Sequence, residues 1–315
     1  MRFRPLAVLA LLLLATAAPL AAFERGEVYF EHTSTYPGNA SPYSEVWVFA
    51  PGFTHAAGAG AAPLIYKDVP MFGEGHFFIP APNEILFHHD QTVSVWDGVN
   101  HLFTEPGLGY TELFHDDAEL GEIAPMRPGL FLVPERGTAG ARLIVFSAQG
   151  RVAEIPFPNG LGAEHIELLG DRCTLLYGLG NRVARMNVCT RAALSDFAVL
   201  SADESVGSIR QLPDGDVLVA SGDAILLFSA GGALLRAYPF AGATRIALTP
   251  DGGAFYAAGV NAGKAELRFY GDGQAIPLGN PEMQSITVPL QADDLVVVGE
   301  WRAAAQPMPR QRAVR

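Results

Sequence analysis

Five short apolar runs punctuate this chain: EILF from Glu84, LFLV from Leu130, TLLY from Thr174, VLVA from Val217 and AFYA from Ala254. Each is followed, after a short polar interruption, by a second apolar segment centred on one large side chain: Trp96, Phe146, Met186, Phe228 or Phe269. The steps between those five residues are 50, 40, 42 and 41 positions, the longer first step reflecting loops inserted around Pro106–Asp117 and Glu135–Ala141. Continuous apolar runs, as opposed to strict alternation, mark strands covered on both faces. A glycine follows the second segment in four copies (Gly98, Gly150, Gly232, Gly273), where a tight turn needs one. The clearest copy, Ser208 to Phe240, reads as four short strands, the first ending at a Pro-Asp-Gly turn. A unit of about forty residues like this cannot bury its own faces, so copies must pack side by side. The fold class expected is all-β, a β-propeller of six four-stranded blades.

The ends of the chain supply the remaining strands. Ser285 to Glu300 reads as a first and second strand, Ser44 to Gly52 as a third and Ala62 to Pro70 as a fourth. Together they form a composite closing blade that ties the two termini. Gly26 to Ser34 also has the pattern of a second strand: it either displaces Asp294 to Glu300 in the closing blade or seeds a seventh blade. The propeller is expected over 23–302, with 303–315 a polar tail without apolar period and so disordered.

Residues 1–22 begin with Arg2 and Arg4, continue through an apolar stretch and end in small residues, the pattern of a cleaved secretory signal peptide. The apolar run is too short for a good membrane span, and no later stretch is long enough to be one. Removing 1–22 leaves 19 basic against 33 acidic residues, a balance that argues against nucleic acid or an anionic membrane as partner. Arginine vastly outnumbers lysine (only Lys67 and Lys264), which together with abundant Ala, Gly and Pro suggests a GC-rich bacterial genome. A periplasmic or secreted bacterial protein, monomeric, is expected. Cys173 and Cys189 lie symmetrically about the turn signal Gly178–Asn181, eight positions either side of Asn181. Cross-strand neighbours of one hairpin come close enough to bond, and export supplies the oxidising compartment, so a disulfide is expected.

In a propeller the loops leading into the first strands, with those between second and third strands, form one face around the channel mouth. The segments before the first strands carry Glu74 and His76, Glu119 and Glu122, Glu164 and His165, Asp203 and Glu204, and Glu282, while GATR at Gly242 carries no acid. Solvated loops of an acidic protein also look like this. The same residues make a ligand-binding face of His76, His88, His89, Glu122 and His165, with His88 and His89 at the end of a second strand. Adjacent strand residues point to opposite sides, so His88 and His89 do not both reach one ion from regular strand geometry. Oxygen ligands here would suit Ca²⁺ or Mg²⁺, and added histidines Zn²⁺ or Mn²⁺. His32, in EHTSTYPGNASPYS, is placed to cover this face as a lid.

The segment Gly73 to Gly98, GEGHFFIPAPNEILFHHDQTVSVWDG, resembles the opening blade of the gluconolactonase, or senescence-marker, family of six-bladed propellers, whose blade begins Gly-Glu-Gly-Pro. His76 stands here in place of that proline. The repeats are also similar to NHL-type and TolB-like propeller repeats. The gluconolactonase resemblance implies a divalent-metal site with Glu74 as a ligand, and PNGL at Pro158–Leu161 resembles the family's Asn-Gly-Leu motif, placing Asn159 as a second.

No Gly-x-Ser-x-Gly elbow, phosphate-cradling loop or His-Glu-x-x-His is present in the sequence. The expectation is therefore an exported propeller that binds a protein or a small polar ligand on its channel face without catalysis of its own. No cofactor is required by that reading. The alternatives are a metal-dependent lactonase or esterase, using Ca²⁺ or another divalent cation, and a glycan or cell-wall-fragment binder.

Overall fold

A computed structural model describes residues 24–35, 43–52, 64–67, 77–81, 84–89, 92–96, 108–110, 118–138, 140–147, 150–158, 160–271, 274–277 and 288–306. Apart from a single 3-10 turn, the described elements are strands. In chain order they are β1 (Val28–Thr35), β2 (Tyr43–Phe49), β3 (Leu64–Lys67), β4 (Phe77–Ala81), β5 (Glu84–His89), β6 (Thr92–Trp96), β7 (Leu108–Tyr110), β8 (Glu119–Leu120), β9 (Ala124–Arg127), β10 (Leu130–Gly137), β11 (Gly140–Ser147) and β12 (Gly150–Pro156). There follow β13 (Ile166–Leu168), β14 (Thr174–Leu179), β15 (Arg182–Asn187), β16 (Ala192–Val199), β17 (Ser208–Gln211), β18 (Val217–Ala220), β19 (Gly222–Phe228), β20 (Leu234–Leu248), β21 (Phe255–Asn261), β22 (Lys264–Gly271), β23 (Gln274–Pro277) and β24 (Val288–Val297).

These strands make antiparallel meanders. β4 to β7 form one sheet and β13 to β16 another, each in sequence order. β10, β11 and β12 share a sheet with β8 and β9, which split the first-strand position between them on either side of Gly121–Ile123. β17 to β23 form a single seven-stranded sheet. The described residues therefore show five hydrogen-bonded sheets, and not the six separate four-stranded ones expected. The reason is β20: its 15 residues pair with β19 as far as Ala243 and with β21 from Ala243 onward. Gly242 makes this passage possible. It adopts φ +82, and a Cβ there would lie 2.3 Å from the Val260 carbonyl oxygen.

The composite sheet joining the two ends is present, in the order β24-β1-β2-β3. β1 holds the second-strand position, pairing Phe30 with Leu295 on one side and with Trp47 on the other. Of the two alternatives for Gly26–Ser34, displacement of the Asp294–Glu300 segment is the one observed. β24 runs through both halves of Ser285–Glu300 as one inner strand, because its apolar tail Leu295–Val298 and the apolar β1 satisfy each other.

Apolar layers alternate with the sheets. Phe78, Leu86, Phe131, Ile144 and Phe146 fill the space between the β4–β7 and β8–β12 sheets. Leu132, Leu143, Ile166, Leu175 and Met186 fill the next, and Leu176, Phe197, Ile209, Val219 and Phe228 the one after it. Ile225, Phe240, Ile246 and Phe255 pack inside the long sheet, and Tyr256 and Leu267 meet Phe30 and Trp47 of the closing sheet. Gly299 N donates to Ile79 O at 2.9 Å, linking the closing sheet to β4. Sheets stacked face to face around an axis in this order are a β-propeller arrangement. Of the third-strand residues the periodicity predicts, Phe146, Met186 and Phe228 are buried in these layers, and Phe269 packs partly buried against the closing one.

The hairpin β14–β15 turns at Gly180, with Leu179 opposite Arg182, and the Cys173–Cys189 disulfide closes its open end with a Cα separation of 5.2 Å. No described helix is long and apolar enough to cross a membrane. The expected disorder from 303 onward is not what the first of those residues show. Ala303–Ala305 form a 3-10 turn, Ala303 and Ala304 are buried, and Arg172 Nε donates to Ala304 O at 2.9 Å. A small apolar Ala-Ala-Ala packed on a sheet edge has no periodicity to reveal it.

Candidate functional site at the channel

Three successive first strands share one local pattern: His165-Ile166-Glu167, Ser208-Ile209-Arg210 and Arg245-Ile246-Ala247. The isoleucines go into the layers between sheets, fully buried. Alternation sends their neighbours the other way, and there they meet one another. Arg210 Nη2 lies 2.6 Å from Glu122 Oε1, and its Nε donates to Glu300 Oε1 at 3.0 Å. Arg302, just after the last strand, enters the same cluster. Its Nη1 donates to Glu167 Oε2 at 2.6 Å, its Nη2 to Glu122 Oε1 at 3.0 Å and its Nε to Glu300 Oε2 at 3.0 Å. Glu300 Oε1 also accepts the Leu248 backbone N–H at 2.7 Å. All five side chains are buried.

Three carboxylates and two guanidinium groups out of water are costly unless their hydrogen bonds are nearly complete. The effects on ionisation differ. Burial opposes charge on Glu122, but Arg210, the His165 contact and Arg302 outweigh it and hold its carboxyl well below the usual range. At Glu167 burial wins: Arg302 and Arg210 do not fully offset it, Glu300 adds repulsion, and the carboxyl titrates above its ordinary value. Both guanidinium groups stay charged, with burial opposed by the surrounding glutamates.

Above this cluster lies the channel mouth, a cavity of about 690 Å³ lined by Arg136, Glu164, His165, Thr244, Arg245 and Gln291 among others. Arg245 is fixed from several directions. Its Nε donates to Asp293 O at 2.6 Å, its Nη1 to Gly207 O at 3.1 Å and Thr244 O at 3.3 Å, and its Nη2 reaches Glu164 Oε1 at 3.5 Å. His165 Nε2 lies 3.2 Å from Glu164 Oε1 and 3.3 Å from Arg245 Nη1, while Nδ1 faces Glu122 Oε2 at 3.7 Å. The imidazole thus stands between the mouth and the buried cluster, and either tautomer has a partner. Asp293 accepts from Thr33 Oγ1 and Gln291 Nε2, each at 2.7 Å, and burial raises its carboxyl above the ordinary value.

Of the residues expected on the ligand face, the structure brings Glu122 and His165 together. Glu122, however, is engaged by two arginines below the mouth. His88 and His89 end β5, opposite Val93 and Thr92. Glu74, His76 and Asn159 lie outside the described residues. Glu204 accepts the Ser201 N–H within its own turn, and Glu119 pairs with Arg136 at 3.1 Å on the surface. His32 is no lid: it is buried in β1, 2.8 Å from Ser34 Oγ and edge-on to the Trp47 ring. Among the described residues no three His, Cys, Asp or Glu side chains converge to hold a metal ion.

The sequence reading missed the arginines. GATR carries no acid, yet its Arg245 organises the mouth. A usable signal was there: polar residues flanking a buried isoleucine in repeat after repeat mark an inward-facing polar column.

No protein-family model and no curated protein matches this chain in sequence. Many solved structures match it in shape. A protein of unknown function from Bacteroides caccae superposes with a TM-score of 0.58 at 13% identity, over 86% of this chain and 98% of that one. TolB from Acinetobacter baumannii gives 0.57 at 9% identity, over 86% and 66%. A luciferin-regenerating enzyme gives 0.52 at 13% identity, over 90% and 95%. A calcium-binding protein, regucalcin, from Agrobacterium tumefaciens gives 0.50 at 14% identity, over 73% and 81%. At these identities the likeness is one of fold.

Proposed function

We propose that this protein is an exported propeller that works as a binding module, holding a small polar ligand or a polar loop of a partner protein at the channel mouth. The observation that carries the reading is the mouth itself: a cavity of ligand size beside a buried cluster of arginines and glutamates. Arg245 offers a preorganised cationic donor, Glu164 is the half-exposed acceptor beside it, and His165 serves as either. Exposed Leu290 at the rim adds an apolar contact. A ligand bearing both an acidic and a donor group, such as an amino acid, a sugar acid or a peptide terminus, matches this set.

The blade count in this reading is six. The seven-stranded sheet is two blades fused through β20, each repeat retaining its own Pro-Asp-Gly turn at Pro213–Gly215 and Pro250–Gly252. Export rests on residues 1–22 and on the disulfide, which suits an oxidising compartment. The lactonase reading would draw on Glu74 and Asn159 by resemblance, without Glu122, whose carboxylate the arginines hold.

The test is thermal unfolding of the mature protein with amino acids, sugar acids and dipeptides, and separately with EDTA, Ca²⁺, Mg²⁺, Mn²⁺ or Zn²⁺. A compound from the first set that raises the midpoint in the wild type and loses at least tenfold in affinity in Arg245→Gln supports the mouth. A divalent ion that raises it, with the rise lost in Glu74→Ala, would replace this reading by the metal-dependent one.

A further inference from the structure

We propose that the propeller axis is a guanidinium-binding site, filled in cis by Arg302 of the segment that follows the last strand. The geometry is that of a receptor for this one group. Each of the three guanidinium nitrogens has its own carboxylate: Nη1 that of Glu167, Nη2 that of Glu122 and Nε that of Glu300. The three acceptors come from β13, from the loop before β9 and from the segment carrying Arg302, so no single element imposes the arrangement. The Phe78 ring centroid lies 5.7 Å from the central carbon, adding an aromatic neighbour to the planar cation. An ammonium group is a compact point charge without the fixed planar fork of donors that reaches these three carboxylates.

Charge counting points the same direction. Arg210 touches two of the same carboxylates, at Glu122 Oε1 and Glu300 Oε1. With Arg302 removed, one guanidinium would face three buried carboxylates. That vacancy favours a cation, and its shape favours a planar one with three edges. The remainder of the segment serves to hold Arg302 there: Ala303 and Ala304 are buried, and Arg172 donates to the carbonyls of Ala304 and Gln306. This site lies beneath the mouth and does not depend on what the mouth binds.

The experiment is chemical rescue. Arg302→Ala is unfolded by heat alone and with millimolar guanidinium, methylguanidinium, ammonium, Ca²⁺ or Mg²⁺, beside wild type. The midpoint should fall by roughly 10 °C in the variant, and guanidinium or methylguanidinium should restore a good part of it. The same additions should leave wild type unchanged or slightly destabilised. Rescue by ammonium or a divalent ion as strong as by guanidinium, or no rescue at all, would overturn the proposal. If the variant does not stay soluble, refolding yield from urea with and without guanidinium reads the same specificity.

Discussion

Arg302 and Glu167 are 135 positions apart in sequence and 2.6 Å apart at the propeller axis. The pair sets the electrostatics of the channel, because Arg302 also reaches Glu122 and Glu300, and Glu122 in turn faces His165 at the mouth.

Glu122 should govern part of the acid limb of stability. Its carboxyl titrates well below its ordinary value of 4.5, since Arg210, His165 and Arg302 overcome its burial. A depressed carboxyl contributes stability that is fully present above the unfolded value and is lost as pH falls toward the folded one. Glu122→Gln should therefore cost about 3–5 kcal/mol near neutral pH, with the gap to wild type closing below 4.5. Urea midpoints across the acid range measure it. A gap that stays constant with pH would contradict the assignment.

Asp293 should behave in the opposite sense. Burial raises its carboxyl above the ordinary value of 3.8 despite bonds from Thr33 and Gln291. A raised group favours the fold below its unfolded value, and that gain is lost as pH rises through the folded one. Asp293→Asn should accordingly match or exceed wild-type stability near neutral pH, and lose that advantage as pH falls through the raised folded value toward 3.8, with none left below it. Paired thermal scans at neutral and acid pH decide this.

The disulfide spans a sequence separation of 16, so its loss should cost about 3 kcal/mol through the unfolded chain. For a protein of this size the midpoint should fall by roughly 6–10 °C in the Cys173→Ser, Cys189→Ser double variant. The β14–β15 hairpin, closed by its own ladder from Thr174–Asn187 to Leu179–Arg182, should keep its register. Calorimetry with and without reductant, beside the double variant, tests the size of the effect.

The repeats were legible because burial on both faces leaves a recurring mark: Phe146, Met186 and Phe228 are buried layer residues, and Phe269 at the next step packs partly buried. The cysteine pair was legible because a turn signal lay midway between its members. The axis was not, for a physical reason. A charge is inside or outside according to its partners, and two of the three partners of Arg302, Glu167 and Glu122, are brought in from 135 and 180 positions away. Glu122 was noticed as a carboxylate on the right face, but composition alone cannot say that two arginines occupy it. His32 misled because its loop-like neighbours hid a strand in which it is buried edge-on against Trp47 of β2.

The closing sheet sets a timetable. The inner edge of β1 is covered only by β24, some 260 positions later in the chain, as the Thr33–Asp293 bond records. Until β24 has been made, the ring stays open and β1 stays half-clothed. A propeller wired this way completes its ring through its most sequence-distant pairing, and so makes that contact late.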